Sequence, residues 1–398
     1  MKKLVLFGAG KIGRSFIGQL FATSGFEVVF VDISEAVIIE LNRRNEYKVV
    51  IKSSQPDAVI NVGNVRGILG IEVEKVAEEL ADCDIAAISV GQKGLPQVIN
   101  TLAKGLVVRQ RKFGRKPLDV ILAENMHNAD TYVKDILSGI LGNDYPINEL
   151  VGLIETSIGK MVPIMPLEEQ EKDCLMVYAE PFNTLILDKK AFRNPIPDVK
   201  GLAPKDNMKA WVDRKSHIHN FGHGAAAYAG YLADPSTQYL ADILKIQSVR
   251  KFTRSAMQQS ADVLMKKYPG EFTQADLTDH IDDLLNRFEN KSLGDTVFRV
   301  GCDLKRKLHR DDRILSPLID GIKTNSPVDK IIMTFVYSLY FMAKDERGNY
   351  FPGDKEFSKI LGENGLAYVL YHICGLKQIK DRQIISRILS TYRQVTIN

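Results

Sequence analysis

Cysteine and tryptophan are scarce: 398 residues hold one Trp and four cysteines, Cys83, Cys174, Cys302 and Cys374. The cysteines lie far apart and form no CxxC pair, which excludes a cysteine-built zinc site and a dense disulfide framework and suits reduced thiols. There is no unbroken apolar run of about 18 residues, the length a membrane helix needs, so no membrane association is expected. The apolar stretch after Met1-Lys2-Lys3 breaks at Gly8-Ala9-Gly10-Lys11, too early for an export signal, and a cytoplasmic protein is expected. A net charge of +4 without a long Lys/Arg tract argues against nucleic acid and leans weakly towards a small anionic ligand.

What is present is an ordinary globular composition, in a chain longer than one hydrophobic core usually supports, so two or three domains are expected. Residues 3–7 form a short apolar run that stops at a glycine-rich turn, and Ile12, Phe16 and Leu20 then recur at helical spacing. Residues 27–32 are apolar and end on Asp32, completing a strand-helix-strand unit of about 30 residues. Further buried strands are expected at 85–90 and 118–123, and a β excursion of uncertain placement at 46–77. This alternation predicts an α/β fold: an N-terminal Rossmann-type domain, residues 1–200, with a mostly parallel sheet and helices on both faces. Past the prolines at 195, 197 and 204 the pattern turns helical, with periodic stretches at 237–268, 276–288 and 328–343. Residues 201–398 are therefore expected to be a mainly α-helical domain for substrate binding and catalysis.

Gly8-Ala9-Gly10-Lys11-Ile12-Gly13 is a GxGxxG placed between a strand and a helix, where it has a mechanical meaning. Gly8 permits the tight turn, Gly10 admits a pyrophosphate to the backbone, and Gly13 lets helix and strand pack closely. Asp32, nineteen residues on, is where a carboxylate would accept bonds from the adenosine ribose hydroxyls and repel a 2′-phosphate. Ile33 and Ser34 follow it without an arginine, so NAD is the expected cofactor rather than NADP.

The densest functional cluster is Asp213 to His223, which holds three of the seven histidines. On a helix with steps of about 100°, Lys215, His219, His223 and Asn220 fall near 0°, 40°, 80° and 140°, on one broad face, with His217 opposite. A lysine of lowered pKa can move the proton of a substrate hydroxyl, and asparagine amides can stabilise the developing alkoxide. The same face also fits a solvated surface. His219 and His223 at i, i+4 have the spacing of a zinc pair, but no HExxH glutamate or cysteine accompanies them, and no metal is expected.

At these residues the sequence resembles the polyol-specific long-chain dehydrogenases, and among them the mannitol-1-phosphate 5-dehydrogenase branch. The likeness runs through Phe7 to Arg14, Glu124-Asn125-Met126, Arg214-Lys215, Asn220 to His223, Arg287 to Asn290, Arg306-Lys307-Leu308 and Asp312-Arg313. Lys215, Asn220 and His223 meet the family's Lys-x4-Asn-x2-His signature. The resemblance implies metal-independent hydride transfer with Lys215 as general acid/base, Asn220 and Asn125 forming the oxyanion site, and His223 orienting Lys215 or a substrate hydroxyl. It implies reversible oxidation of mannitol 1-phosphate to fructose 6-phosphate; a hexuronate (fructuronate or tagaturonate) reductase and a mannitol 2-dehydrogenase are the alternatives on this scaffold. Two departures bear on the substrate. Gly159-Lys160 stands where the phosphate-using branch shows Asp-Arg, and Cys302 occupies a commonly basic position. Arg306, Lys307, Arg310 and Arg313 are the expected phosphate-binding cations, each of which equally fits a solvated or pairing charge.

Overall fold

Lys3–Phe7 (β1) is buried from its second residue to its last, as a central parallel strand must be. Its neighbours are Glu27–Asp32 (β2) on one side and Ile85–Ile88 (β6) on the other, both parallel. Beyond β2 lies Val65–Leu69 (β5), also parallel. Beyond β6 lie Leu118–Leu122 (β7) and Val151–Ser157 (β8), parallel again. Leu185–Asp188 (β10) then runs antiparallel to β8, with Leu202–Lys205 (β11) parallel at the edge. The eight-stranded order β11-β10-β8-β7-β6-β1-β2-β5 therefore reverses direction of travel between β1 and β6. Ligand sites in such sheets lie at that reversal, outside the carboxyl ends of the strands.

The computed structural model describes residues 1–126 and 128–395, in two units, Met1–Val212 and a second that begins at Asp213. The first matches the α/β expectation, with cores on both sheet faces. Leu4 and Leu6 pack with Phe16, Leu20 and Phe30, whereas Val5 and Phe7 pack with Leu80, Ile99 and Leu106, the period-two alternation of a strand covered twice. The excursion at 46–77 resolves into Glu46–Ile51 (β3), Ala58–Gly63 (β4) and β5. The first two join Val177–Ala179 (β9) in a separate three-stranded sheet of order β4-β3-β9.

The second unit is helical. Gln274–Phe288 starts on a reciprocal cap, Thr273 with Asp276, and Gln247–Lys267 and Asp329–Ser338 fall within the periodic stretches. The expected helix at 237–268 is instead split into Leu240–Ile243 and Gln247–Lys267. Tertiary bonds take over at its start: Leu240 N–H donates to Asp295 O at 2.9 Å and Tyr239 bridges to Thr296. Two stretches also widen from α to π geometry, Gly13–Gly18 and Lys215–Asn220. Among the described residues no helix is long and apolar enough to cross a membrane.

Candidate active site

The glycine turn sits at the reversal of strand order. Gly8 follows β1 with φ +95, its N–H donates to Val31 O at 2.8 Å, and a Cβ there would lie 2.1 Å from Ser89 O. A Cβ on Gly13 would lie 2.0 Å from Gly8 O, so helix and strand meet at glycine-only distance. Gly10 has nothing within 4 Å of its Cβ position, an open approach to the backbone. Lys11 opens the helix and is exposed, Ile12 is half-buried against the core, and Ala9 is buried. Ala9 N–H donates to Asp32 Oδ2 at 2.6 Å, and Ser34 N–H to Oδ1 at 2.9 Å. These bonds fix the carboxylate and leave it further lone pairs. Gly8, Gly10, Asp32, Ser89, Val90, Val98 and Thr101 line a pocket of about 500 Å³. An open glycine, a helix N-terminus and a fixed carboxylate on one apolar pocket fit a dinucleotide.

Asn125 is exposed on the bend after β7. Its neighbour Glu124 is buried and accepts N–H bonds from Val90 at 2.7 Å and Gly91 at 2.9 Å, tying this bend to a pocket-lining loop. Burial raises the Glu124 pKa. Sequence reasoning placed Glu124 in a motif without giving it a task; its partners lie on another strand end. Lys160 is buried, donates to Asn183 Oδ1 at 2.9 Å and lies 5.2 Å from the centre of the Phe16 ring.

In the second unit, Lys215 to Asn220 form the wide turn, and this revises the angular reading of the sequence. Bonds that return five residues instead of four place residues five apart one turn from each other. Lys215 and Asn220 are so spaced, and the turn brings them nearer than the α-helical angle of about 140° would. Dense burial disfavours the Lys215 ammonium, Arg313 repels it and Asp312 opposes the shift, leaving a pKa of about 8. Such an amine both gives and takes a proton near neutrality.

His223 stacks on Phe288 and lies 3.3 Å from Asp295 Oδ2 through Nε2. Burial pushes its pKa down to about 3, helped by Arg299, Arg313 and Lys307. Asp295 is buried and also pairs with Arg299. Phe288, Asp295 and Arg299 escaped the sequence reading as site residues; the Arg287 to Asn290 motif was the available signal. His217 is fully buried, with Nε2 3.0 Å from Ser316 Oγ. Among the described residues one group of potential ligand atoms lies within 4.8 Å of one another, on Asp213, His217 and Asp320. Lys267 Nζ already bonds both carboxylates, at 2.7 and 2.5 Å.

Of the four expected phosphate ligands, Arg306 and Arg313 share one carboxylate, Asp312, and Arg310 bonds elsewhere. Arg310 bonds Gly375 O at 2.9 Å and Asp381 at 3.0 Å. Lys307 is buried, donates to Val300 O at 2.6 Å, and has its pKa lowered to about 8 by burial and by Arg313. Arg306 pairs with Asp303 and Asp312, and Arg313 with Asp312 at 2.8 Å. Arg313 is thus the one whose charge acts on Lys215, His223 and Lys307 together.

Family models of a mannitol dehydrogenase Rossmann domain and a mannitol dehydrogenase C-terminal domain match residues 2–201 and 207–396. Among solved structures, the chain is similar to a Pseudomonas fluorescens mannitol 2-dehydrogenase in ternary complex with NAD and D-mannitol. The identity is 16% and the TM-score 0.76, over 99% of this chain and 91% of that one. A D-sorbitol dehydrogenase in substrate-free form is similar at 17% identity and TM-score 0.80, over 98% and 92%. At these identities the likeness is one of fold.

Proposed function

Because the chain belongs to the mannitol dehydrogenase family, we propose that it is an NAD-dependent polyol dehydrogenase that reversibly oxidises mannitol 1-phosphate to fructose 6-phosphate without a metal. The observation that carries this reading is Lys215, a lysine brought to a pKa of about 8 by burial and by Arg313.

Gly8, Gly10, Gly13 and the helix opened by Lys11 hold the pyrophosphate in this reading, and Asp32 takes the ribose hydroxyls. Bound NAD supplies the hydride acceptor. The free amine of Lys215 takes the proton of the hydroxyl whose carbon is oxidised, and its ammonium returns that proton in reduction. The Asn220 amide donates to the oxygen as negative charge develops, and Asn125 is assigned the same task. Neutral His223 offers a hydrogen bond to a substrate hydroxyl.

Arg313, whose charge acts on both Lys215 and Lys307, favours an anionic substrate. Arg313 and Arg306 both act on the buried Lys307, and a phosphate beside these cations would gain from their charge. A planar carboxylate suits an arginine equally, and this supports a hexuronate reductase as the second reading. Free mannitol, as for a mannitol 2-dehydrogenase, brings no charge for these cations to bind.

The deciding experiment is NADH formation by purified protein offered mannitol 1-phosphate, sorbitol 6-phosphate, mannitol, mannonate and altronate side by side. Preference for mannitol 1-phosphate is expected. Preference for an aldonate moves the assignment to the uronate reductases, and no turnover on any of them defeats it.

A further inference from the structure

The helix Arg382–Gln394 carries three arginines in unlike surroundings. Arg387 pairs with Asp329 at 2.8 Å. Arg382 and Arg393 are exposed and have no hydrogen-bond or ionic partner among the described residues. Eleven residues separate them, about 20° of rotation and about 16 Å of rise, so they stand at the two ends of one helix face. That face lines a groove of about 890 Å³, within the size range of small-molecule sites. Between the arginines lie Ser386 and Ser390, with Ile385 and Leu389 beside them, and Tyr371 and Gln378 add a phenol and an amide to the lining. Among the described residues no carboxylate lines the groove. Asp381, next to Arg382, is buried and engaged with Arg310 at 3.0 Å and with the Lys377 N–H at 2.7 Å. Lys377 and Lys380 are exposed nearby, so the surroundings of the groove are positive throughout.

We propose that this groove is a second binding site, for a small polyhydroxy dianion that carries an acidic group at each end, such as a sugar bisphosphate or an aldaric acid. Arg382 and Arg393 hold the two ends, each with a planar fork of donors that matches a phosphate or a carboxylate. The hydroxyls and the amide between them bond the hydroxyls of the ligand, and Ile385 and Leu389 pack on its carbon chain. A face that only met water would need neither a concave wall nor its two unpaired cations placed at opposite ends of it.

Calorimetric titration of the full chain with fructose 1,6-bisphosphate and with galactarate tests this and tells the two sources apart. A Kd below about 1 mM is expected for one of them, weakening as salt is raised, because exposed charges are screened. Inorganic phosphate, which answers only one arginine, should bind about tenfold more weakly or worse. Arg382→Glu and Arg393→Glu should each cost about tenfold in Kd, and the double variant should abolish binding. Both side chains are exposed, so these exchanges spare the core; an unchanged thermal transition checks that, and Arg382→Gln and Arg393→Gln should act in the same direction. Arg313→Met should leave the affinity as it was, which separates this groove from the proposed polyol phosphate site. Binding that survives the double variant, or that is lost in Arg313→Met instead, overturns the proposal. So does inorganic phosphate that binds as tightly as the dianions. Absence of binding by both dianions also overturns it, and a glutamate-rich peptide that then binds reassigns the groove to an acidic protein partner.

Discussion

The His223 imidazole lies flat on the Phe288 ring, with centroids 4.5 Å apart and planes 8° from parallel. The stack fixes the ring plane, and burial holds the imidazole neutral, with a pKa of about 3. Nε2 is buried without a hydrogen-bond partner among the described residues, its 3.3 Å approach to Asp295 lacking hydrogen-bond geometry. A substrate hydroxyl would relieve that deficit. His223→Phe should therefore raise KM for the polyol about tenfold, the worth of one neutral hydrogen bond of about 1.5 kcal/mol. Steady-state kinetics from pH 5 to 9 should show no limb near 6.5 in the wild type; one that disappears in His223→Phe would contradict a neutral ring.

Lys215→Ala should cut kcat by about 10² to 10⁴, the usual contribution of general acid/base catalysis, while NAD binding by calorimetry stays unchanged. The pH profile carries a sign. Oxidation needs the free amine, so its rate should rise as pH increases through about 8 and then level. Reduction needs the ammonium and should fall across the same interval. A Lys215→Ala protein that retains most of its activity would refute the assignment.

Arg313→Met should act twice. Loss of a charged hydrogen-bond donor, worth about 1.5–3 kcal/mol, should raise KM for a phosphorylated substrate some 10- to 150-fold while sparing mannitol. Removal of a repelling neighbour should also move the Lys215 limb upward from about 8, because Arg313 is what lowers it after burial. Arg310→Ala is the contrast. It should leave KM unchanged and lower thermal stability, since it loses Gly375 O and Asp381.

Asp32→Asn should weaken NAD binding and narrow the preference over NADP, as a ribose-binding carboxylate loses its charge. Asparagine keeps one acceptor for Ala9 N–H or Ser34 N–H, so the turn should survive. Fluorescence titration with both cofactors checks this, and an unchanged preference would remove Asp32 from the ribose site.

The parts of this architecture written in local pattern were legible. β1, β2, β6 and β7 are short apolar runs, and the Gly8 turn carries its own chemistry, so strand, turn and helix followed from adjacent residues. The sheet β4-β3-β9 was not legible, because Val49 pairs with Val177 across most of the unit and nothing near either names the other. The wide turn at Lys215 was hidden for another reason. The same residues satisfy an α-helical pattern, and the groups packed on the turn, such as the Ser260 hydroxyl on His217 O, come from far along the chain. Phe288, Asp295 and Arg299 were missed on the same ground: their place beside His223 is set by packing.

The order in which the pocket residues occur gives the sheet a meaning in time. Every residue lining the nucleotide pocket, from Phe7 to Thr101, precedes β7 in the chain. A chain emerging from the ribosome therefore presents all of them before β7 is made and well before Lys215. β9, β10 and β11 arrive later to complete the two sheets. Because domains fold as units in order of synthesis, the dinucleotide is the first ligand this polypeptide has the residues to hold, and its binding favours the folded form of the N-terminal unit while the residues that would give it a reaction to perform are still to be translated.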